Sequence, residues 1–170
     1  MKQDLLPLVF EALLETAYMT SIATLFALLI GLPLGVVLVL TERGHLWEHY
    51  RINQLLSAAI NAVRSFPSLI LIIVLLPLSR VLVGTTLGST AAIVPIAIGS
   101  APFVARIFEN SFKQVAWGKI EAAQALGAGH AKIIFDVLLP EALPSLVRGF
   151  TIAVITILGF TTIAGVIGGG

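Results

Sequence analysis

Few side chains in this chain of 170 residues could do chemistry, and their spacing sorts them quickly. His45 and His49 stand four apart, the spacing of two metal ligands on one helix face, but a solvated loop face accounts for them better; with His130 distant in sequence, no metal site is expected. Cysteine is absent, which excludes disulfides and thiolate metal sites. No GxxxxGK[ST] phosphate loop occurs, so any use of ATP must belong to a partner. The apolar runs offer neither a carboxylate pair nor a histidine, so no catalytic residues are expected and an intramembrane enzyme is the least economical reading. Arg106, Glu109 and Lys113 fall at i, i+3 and i+7 and read as a solvated charged stripe. Thr151, Thr156, Thr161 and Thr162 form a hydroxyl-bearing face in the last apolar run. Thr156, Thr161 and Thr162 are candidate pathway-lining residues, although such threonines also bond back to their own helix carbonyls.

The remaining candidate is a segment rather than a reactive group. Residues 119–144, KIEAAQALGAGHAKIIFDVLLPEALP, are the longest polar-to-amphipathic stretch between apolar runs. Glu121 to Leu126 are good helix formers. Gly127-Ala128-Gly129 breaks the run, because glycine reaches the left-handed backbone that ends a helix. A second short helix is expected from Ala131 to Leu139, with Ile133, Ile134, Val137 and Leu138 as its apolar stripe. Pro140 and Pro144 are expected to bracket its exit. The spacing predicts a compact helix–turn–helix.

What holds this segment must be a membrane bundle. Hydrophobic residues make up 58% and charged residues 11%, against roughly 25% charged in soluble domains, and the mean hydropathy is +1.03. The net charge of +1 points to no nucleic-acid partner. Four spans are expected, at about 16–40, 65–83, 91–108 and 147–168, making one transmembrane domain over 1–170. The first contains Gly31-Leu32-Pro33-Leu34-Gly35, read as a packing contact in preference to a bend lining a pathway. Leu5–Leu14 is an interfacial stretch or a continuation of that span. Residues 41–64 form a polar segment whose Trp47 and Tyr50 suit the headgroup region.

Orientation follows from the basic residues. Segments 41–64 and 106–148 hold eight of the ten Lys and Arg residues; Lys2 and Arg80 lie on the other side. Basic residues are retained inside. The N-terminus is therefore expected outside and residues 119–144 in the cytoplasm.

The segment 119–144 resembles the EAA loop of ABC importer permeases. Glu121-Ala122-Ala123, Gly127 and Leu139-Pro140 match that pattern in identity and spacing, and Val137 stands where the family usually has Ile. Further segments look like methionine-importer permeases: Leu14-Glu15-Thr16, Gly31-Leu32-Pro33, Arg64-Ser65-Phe66-Pro67, Val83-Gly84-Thr85, Ala91-Ala92-Ile93-Val94-Pro95, Ala101-Pro102-Phe103 and Glu109-Asn110. The resemblance implies an all-α polytopic bundle in a bacterial inner membrane, with a fifth span after Gly170 and hence a chain incomplete at its C-terminal end. It implies an importer that carries an amino acid, methionine, into the cytoplasm as a homodimer. Its partners would be two copies of an ATP-binding subunit carrying ATP and Mg, an external substrate-binding protein and the bilayer. Glu121 would meet the ATP-binding subunit or cap its own helix; Ala122 and Ala123 would keep the docking surface narrow. Gly127 would set the turn, and Leu139-Pro140 would anchor the loop. The alternative is an ion-coupled secondary transporter or small channel. Against it, no ionisable acid or base lies in residues 16–40 apart from the phenol of Tyr18, and none in 66–79, 91–105 or 149–170. A scaffold protein of the membrane is a further alternative, but it would need no helix–turn–helix of this spacing.

Overall fold

A computed structural model of the protein describes residues 5–166 and 168. The expected outside N-terminus and the Gly169-Gly170 end of the chain lie beyond those residues. The elements are helices: α1 (Leu5–Leu40), α2 (Tyr50–Ser65), α3 (Ser68–Val83), α4 (Ser89–Phe112), α5 (Trp117–Ala125) and α6 (His130–Val166). Three of them, α1, α4 and α6, are long and apolar enough to cross a membrane; a fourth crossing is available if the bent pair α2–α3 counts as one.

α4 is the centre of the bundle, with α1, α3 and α6 packed around it and α2 along one side. Its contact with α1 is made by a stripe of small residues. Met19, Ala23, Ala27, Gly31 and Gly35 recur every four positions of α1, and all are buried. A Cβ on Gly31 would sit 2.7 Å from the Val104 side chain, and one on Gly35 2.8 Å from the Ala105 carbonyl oxygen. The two glycines are therefore a packing contact, the reading the sequence favoured. Pro33 lies between them without ending the helix, and α1 is unbroken back to Leu5, so Leu5–Leu14 continues the first span.

The polar segment 41–64 contains more order than its charges indicate. Asn53, Leu56, Ser57 and Ile60, at i, i+3, i+4 and i+7, are the covered face of α2. The chain then turns through 105° into α3. Pro67 causes the turn: the residue before a proline avoids the helical region, and Phe66 is extended at φ −75°, ψ 137°. α3 ends at Gly84 in the left-handed region, φ +87°.

The largest departure from expectation is at Pro140 and Pro144. They do not bracket the exit of a short helix: the helix that begins at His130 runs through both into the last span. Residues Ile133–Leu138 form π-helix immediately before Pro140. A wider turn there changes which carbonyl faces the proline ring, so the missing N–H and the ring are accommodated without a break.

Candidate coupling loop and translocation path

The turn of the helix–turn–helix is closed by glycine, as its sequence requires. Gly127 has φ +78°. Its N–H donates to the Gln124 carbonyl at 2.9 Å, and the Ala128 N–H donates to the Ala123 carbonyl at 3.0 Å. These two bonds are the Schellman closure of a helix C-terminus. Nothing lies within 4 Å of a Cβ built on Gly127, so the demand for glycine here is backbone conformation, not space.

Apolar side chains fix the element to the bundle. Ile120, Ile133 and Leu138 are buried in the main core cluster, with Ala123, Ala128, Ile134 and Leu139 packed against it. Leu139 is thus a secondary anchor, and Pro140 is exposed. The anchoring expected of Leu139-Pro140 falls mainly to Ile120, Ile133 and Leu138. Lys119 and Glu141 form an exposed ion pair between α5 and α6.

The candidate docking residues divide into two sets. Ala123, Gly127 and Val137 line one hollow of about 370 Å³, with Lys132 and Asp136 on its wall. Glu121 and Ala122 are exposed on α5 outside it. The Glu121 carboxylate accepts from the Trp117 indole N–H at 2.9 Å. It does not cap α5, which begins after Ala116 without a side-chain cap. Leu126, at the tip, is 89% exposed. By residue type Leu126 is only a helix former; its place immediately before the glycine turn is the signal that it sits at the tip.

Residues 41–49 pack on the same element. The Trp47 indole N–H donates to His130 Nδ1 at 2.9 Å, so Trp47 is not simply a headgroup anchor. The His45 ring meets Trp117 edge-on at 4.8 Å between centroids. His49 is exposed, so the two histidines do not converge. Burial pushes the His45 pKa below its ordinary value; Glu42 opposes the shift and Lys113 adds to it.

Beside this contact, Arg106, Glu109 and Lys113 are not a solvated stripe. Glu109 is 4% exposed. Its carboxylate takes Arg106 at 2.6 Å and Lys113 at 2.9 Å, and Lys113 reaches Glu42 at 2.9 Å. Arg106 also donates to the Ser57 carbonyl at 3.3 Å and to Asn61 Oδ1 at 3.1 Å. Burial by itself would lower the Lys113 pKa, but its bonds to Glu109 and Glu42 outweigh that and raise it. The network ties the end of α1, the side of α2 and the end of α4 together, directly above the helix–turn–helix in sequence.

The threonine candidates do not share one cavity. Thr156 lines a cavity of about 320 Å³ at the α2–α3 bend. Thr161 and Thr162 line a separate hollow of about 220 Å³ near Glu15 and Thr16 of α1. Thr156 and Thr161 donate to their own helix, to Ile152 at 2.9 Å and Leu158 at 2.7 Å. Back-bonding therefore satisfies both hydroxyl donors.

An apolar bundle with a helix–turn–helix closed by glycine between its fourth and sixth helices defines a multi-pass membrane permease of the ABC importer class. A family model described as "Binding-protein-dependent transport system inner membrane component" matches residues 31–170, and the chain belongs to that family. It is a transport subunit, not an enzyme, and the ion-coupled carrier, channel and scaffold readings give way. Among similar proteins is the probable D-methionine transport system permease protein MetI of Pasteurella multocida (strain Pm70), 46% identical over 157 residues, covering 92% of this chain and 72% of that protein. The D-methionine transport system permease protein MetI of Escherichia coli (strain K12) is 41% identical over 165 residues, covering 97% of this chain and 76% of that protein. A solved structure of the MetNI methionine ABC transporter in inward-facing conformations superposes with a TM-score of 0.96 at 41% identity, covering 100% of this chain and 79% of that one.

Proposed function

We propose that this chain is the membrane-spanning subunit of an ATP-driven importer of methionine. It works as a homodimer with two copies of an ATP-binding subunit, which hold ATP and Mg, and receives substrate from an external binding protein. Its N-terminus lies outside, and residues 119–144 face the cytoplasm. The observation that carries the coupling role is the glycine-closed tip. It presents exposed Glu121, Ala122 and Leu126 beside a hollow lined by Ala123, Gly127 and Val137, while Ile120, Ile133 and Leu138 root it in the core. A rigid knob with an apolar tip suits insertion into a cleft on a partner subunit. The identity to methionine permeases supports the substrate.

In alternating access, closure of the ATP-binding subunits on ATP would drive the knob as a lever. The Arg106–Glu109–Lys113–Glu42 network and the His45–Trp117 and Trp47–His130 contacts would carry that motion to α4 and α1. Thr156, Thr161 and Thr162 remain candidates for the path between the helices. The test is uptake of radiolabelled methionine into vesicles holding the assembled complex, its binding protein outside and ATP inside. Uptake that requires ATP is expected. Binding-protein-dependent uptake of a different amino acid with none of methionine would overturn the substrate assignment, and uptake driven by an ion gradient without ATP would overturn the mechanism.

A further inference from the structure

Glu15 takes no part in the coupling loop or its charge network, but the fold places it on a hollow. It sits inside α1, which begins at Leu5, past exposed Phe10, Leu13 and Leu14. A carboxylate within an apolar span is costly unless it faces a cavity, water or a cation, and such residues mark ligand and ion paths. Glu15 is half-buried and lines the hollow of about 220 Å³ between α1 and α6, with Thr16 on its own helix and Thr161, Thr162 and Gly165 opposite. Among the described residues it makes no ion pair or side-chain hydrogen bond, and no Lys, Arg or His lines the hollow. Glu11, one turn earlier, is exposed outside it.

The hydroxyls around Glu15 leave acceptors only. Thr16 donates to the Ala12 carbonyl at 2.8 Å and Thr161 to the Leu158 carbonyl at 2.7 Å, so both protons are spent on the helix backbone. Thr161 is 4% exposed, and its oxygen keeps lone pairs to offer. A second observation lies directly below. Thr20 and Thr24 continue the line of Thr16 along α1 at i+4 and i+8. They are buried, at 8% and 5% exposure, and neither hydroxyl has a hydrogen-bond partner. Side chains lean toward the N-terminus of their helix, which for Thr20 is toward the hollow. Buried hydroxyls left unpaired are costly, so the floor of the hollow calls for a polar guest. A carboxylate among hydroxyl oxygens, with no cation beside it, attracts a positive group rich in N–H donors and repels an anion. The space is below the roughly 300 Å³ of a small-ligand pocket, so it takes one end of a small molecule. It lies at the end of the bundle away from the helix–turn–helix, where the Gly88 N–H donates to the Gly168 carbonyl at 2.8 Å.

We propose that this hollow is an entry subsite in which the Glu15 carboxylate takes the ammonium group of the transported amino acid, with the Thr16 and Thr161 oxygens as further acceptors. The proposal rests on the amino-acid importer reading above. An alkali cation would suit the same acceptors, and the test separates the two sources of positive charge.

The test uses the assembled complex in vesicles, its binding protein outside and ATP inside, with radiolabelled L-methionine as probe. E15Q is expected to lower the uptake kcat/KM about tenfold or more, the loss of one charge-assisted contact. E15D should restore part of the uptake. Wild-type uptake by E15Q overturns the subsite. Equal wild-type uptake in sodium, potassium and choline salts is expected; uptake that needs one alkali cation in the wild type and is indifferent to it in E15Q assigns the hollow to that ion and overturns the proposal. A defect removed by saturating binding protein assigns Glu15 to docking that protein, with the same consequence. Should E15Q fail to assemble, Gly165→Leu decides. Nothing lies within 4 Å of a Cβ built on Gly165, and the larger side chain fills the hollow from α6. Lost uptake by an assembled Gly165→Leu complex supports the subsite, and normal uptake overturns it. Failure of wild-type methionine uptake would strike the function reading instead, which separates the two.

Discussion

Glu109 sets the behaviour of the C-terminal end of α4. It accepts two cations while its own side chain is 6% exposed, whereas Arg106 and Lys113 are 18% and 36% exposed. Removing it strands Arg106, whose Nε is already buried without a partner. Glu109→Ala is expected to cost about 2 kcal/mol, less than a fully buried pair because the cations keep some water. A lowered thermal midpoint in detergent checks this, while Glu42→Ala, removing only the half-exposed Lys113 contact, should lower it far less. His45 gives a pH signature. Its native pKa is depressed, so the unfolded chain takes the proton first as pH falls. Its contribution is complete above the ordinary value near 6.5 and is lost progressively as pH falls from there toward the depressed native pKa. His45→Asn is expected to flatten the fall of the thermal midpoint between about pH 7 and 5.5. Neither role was legible from spacing. The i, i+3, i+7 charges look solvated on an isolated helix, and only Glu42, Ser57 and Asn61 from other elements cover them.

At the element scale, legibility tracks how local the cause is. The turn at Gly127 was readable because a positive φ is a property of one residue, and the α2–α3 bend is written in Pro67. The passage of α6 through Pro140 and Pro144 was not readable, because a π-helical stretch upstream depends on how Ile133 and Leu138 seat in the core. The α1–α4 contact is readable as small residues four apart, and it leaves no room for a side chain at its glycines. Gly35→Ala would place a methyl 2.8 Å from the Ala105 carbonyl oxygen on the central helix. Since that oxygen belongs to backbone, the helices must part, at about 1–3 kcal/mol. Reduced yield of folded protein and a lower thermal midpoint are expected. Gly129→Ala, with open space and an ordinary φ of −69°, serves as the neutral control.

For the whole molecule, apolar run length and glycine–proline punctuation were enough to expect a polytopic helical bundle with one helix–turn–helix projecting from it. They did not reveal that α4 is the hub, because that depends on which helices neighbour which. The central claim is that residues 119–144 couple this permease to an ATP-binding subunit. It is tested most directly by co-purifying the protein with that subunit, wild type beside Leu126→Asp. Leu126 is 89% exposed, so a charge there leaves the fold intact. A stable wild-type complex that Leu126→Asp weakens by about tenfold or more, as expected of a buried apolar anchor at an interface, with the thermal midpoint of the permease unchanged, is the result expected. Equal retention of the ATP-binding subunit by both proteins would contradict a docking role for the tip.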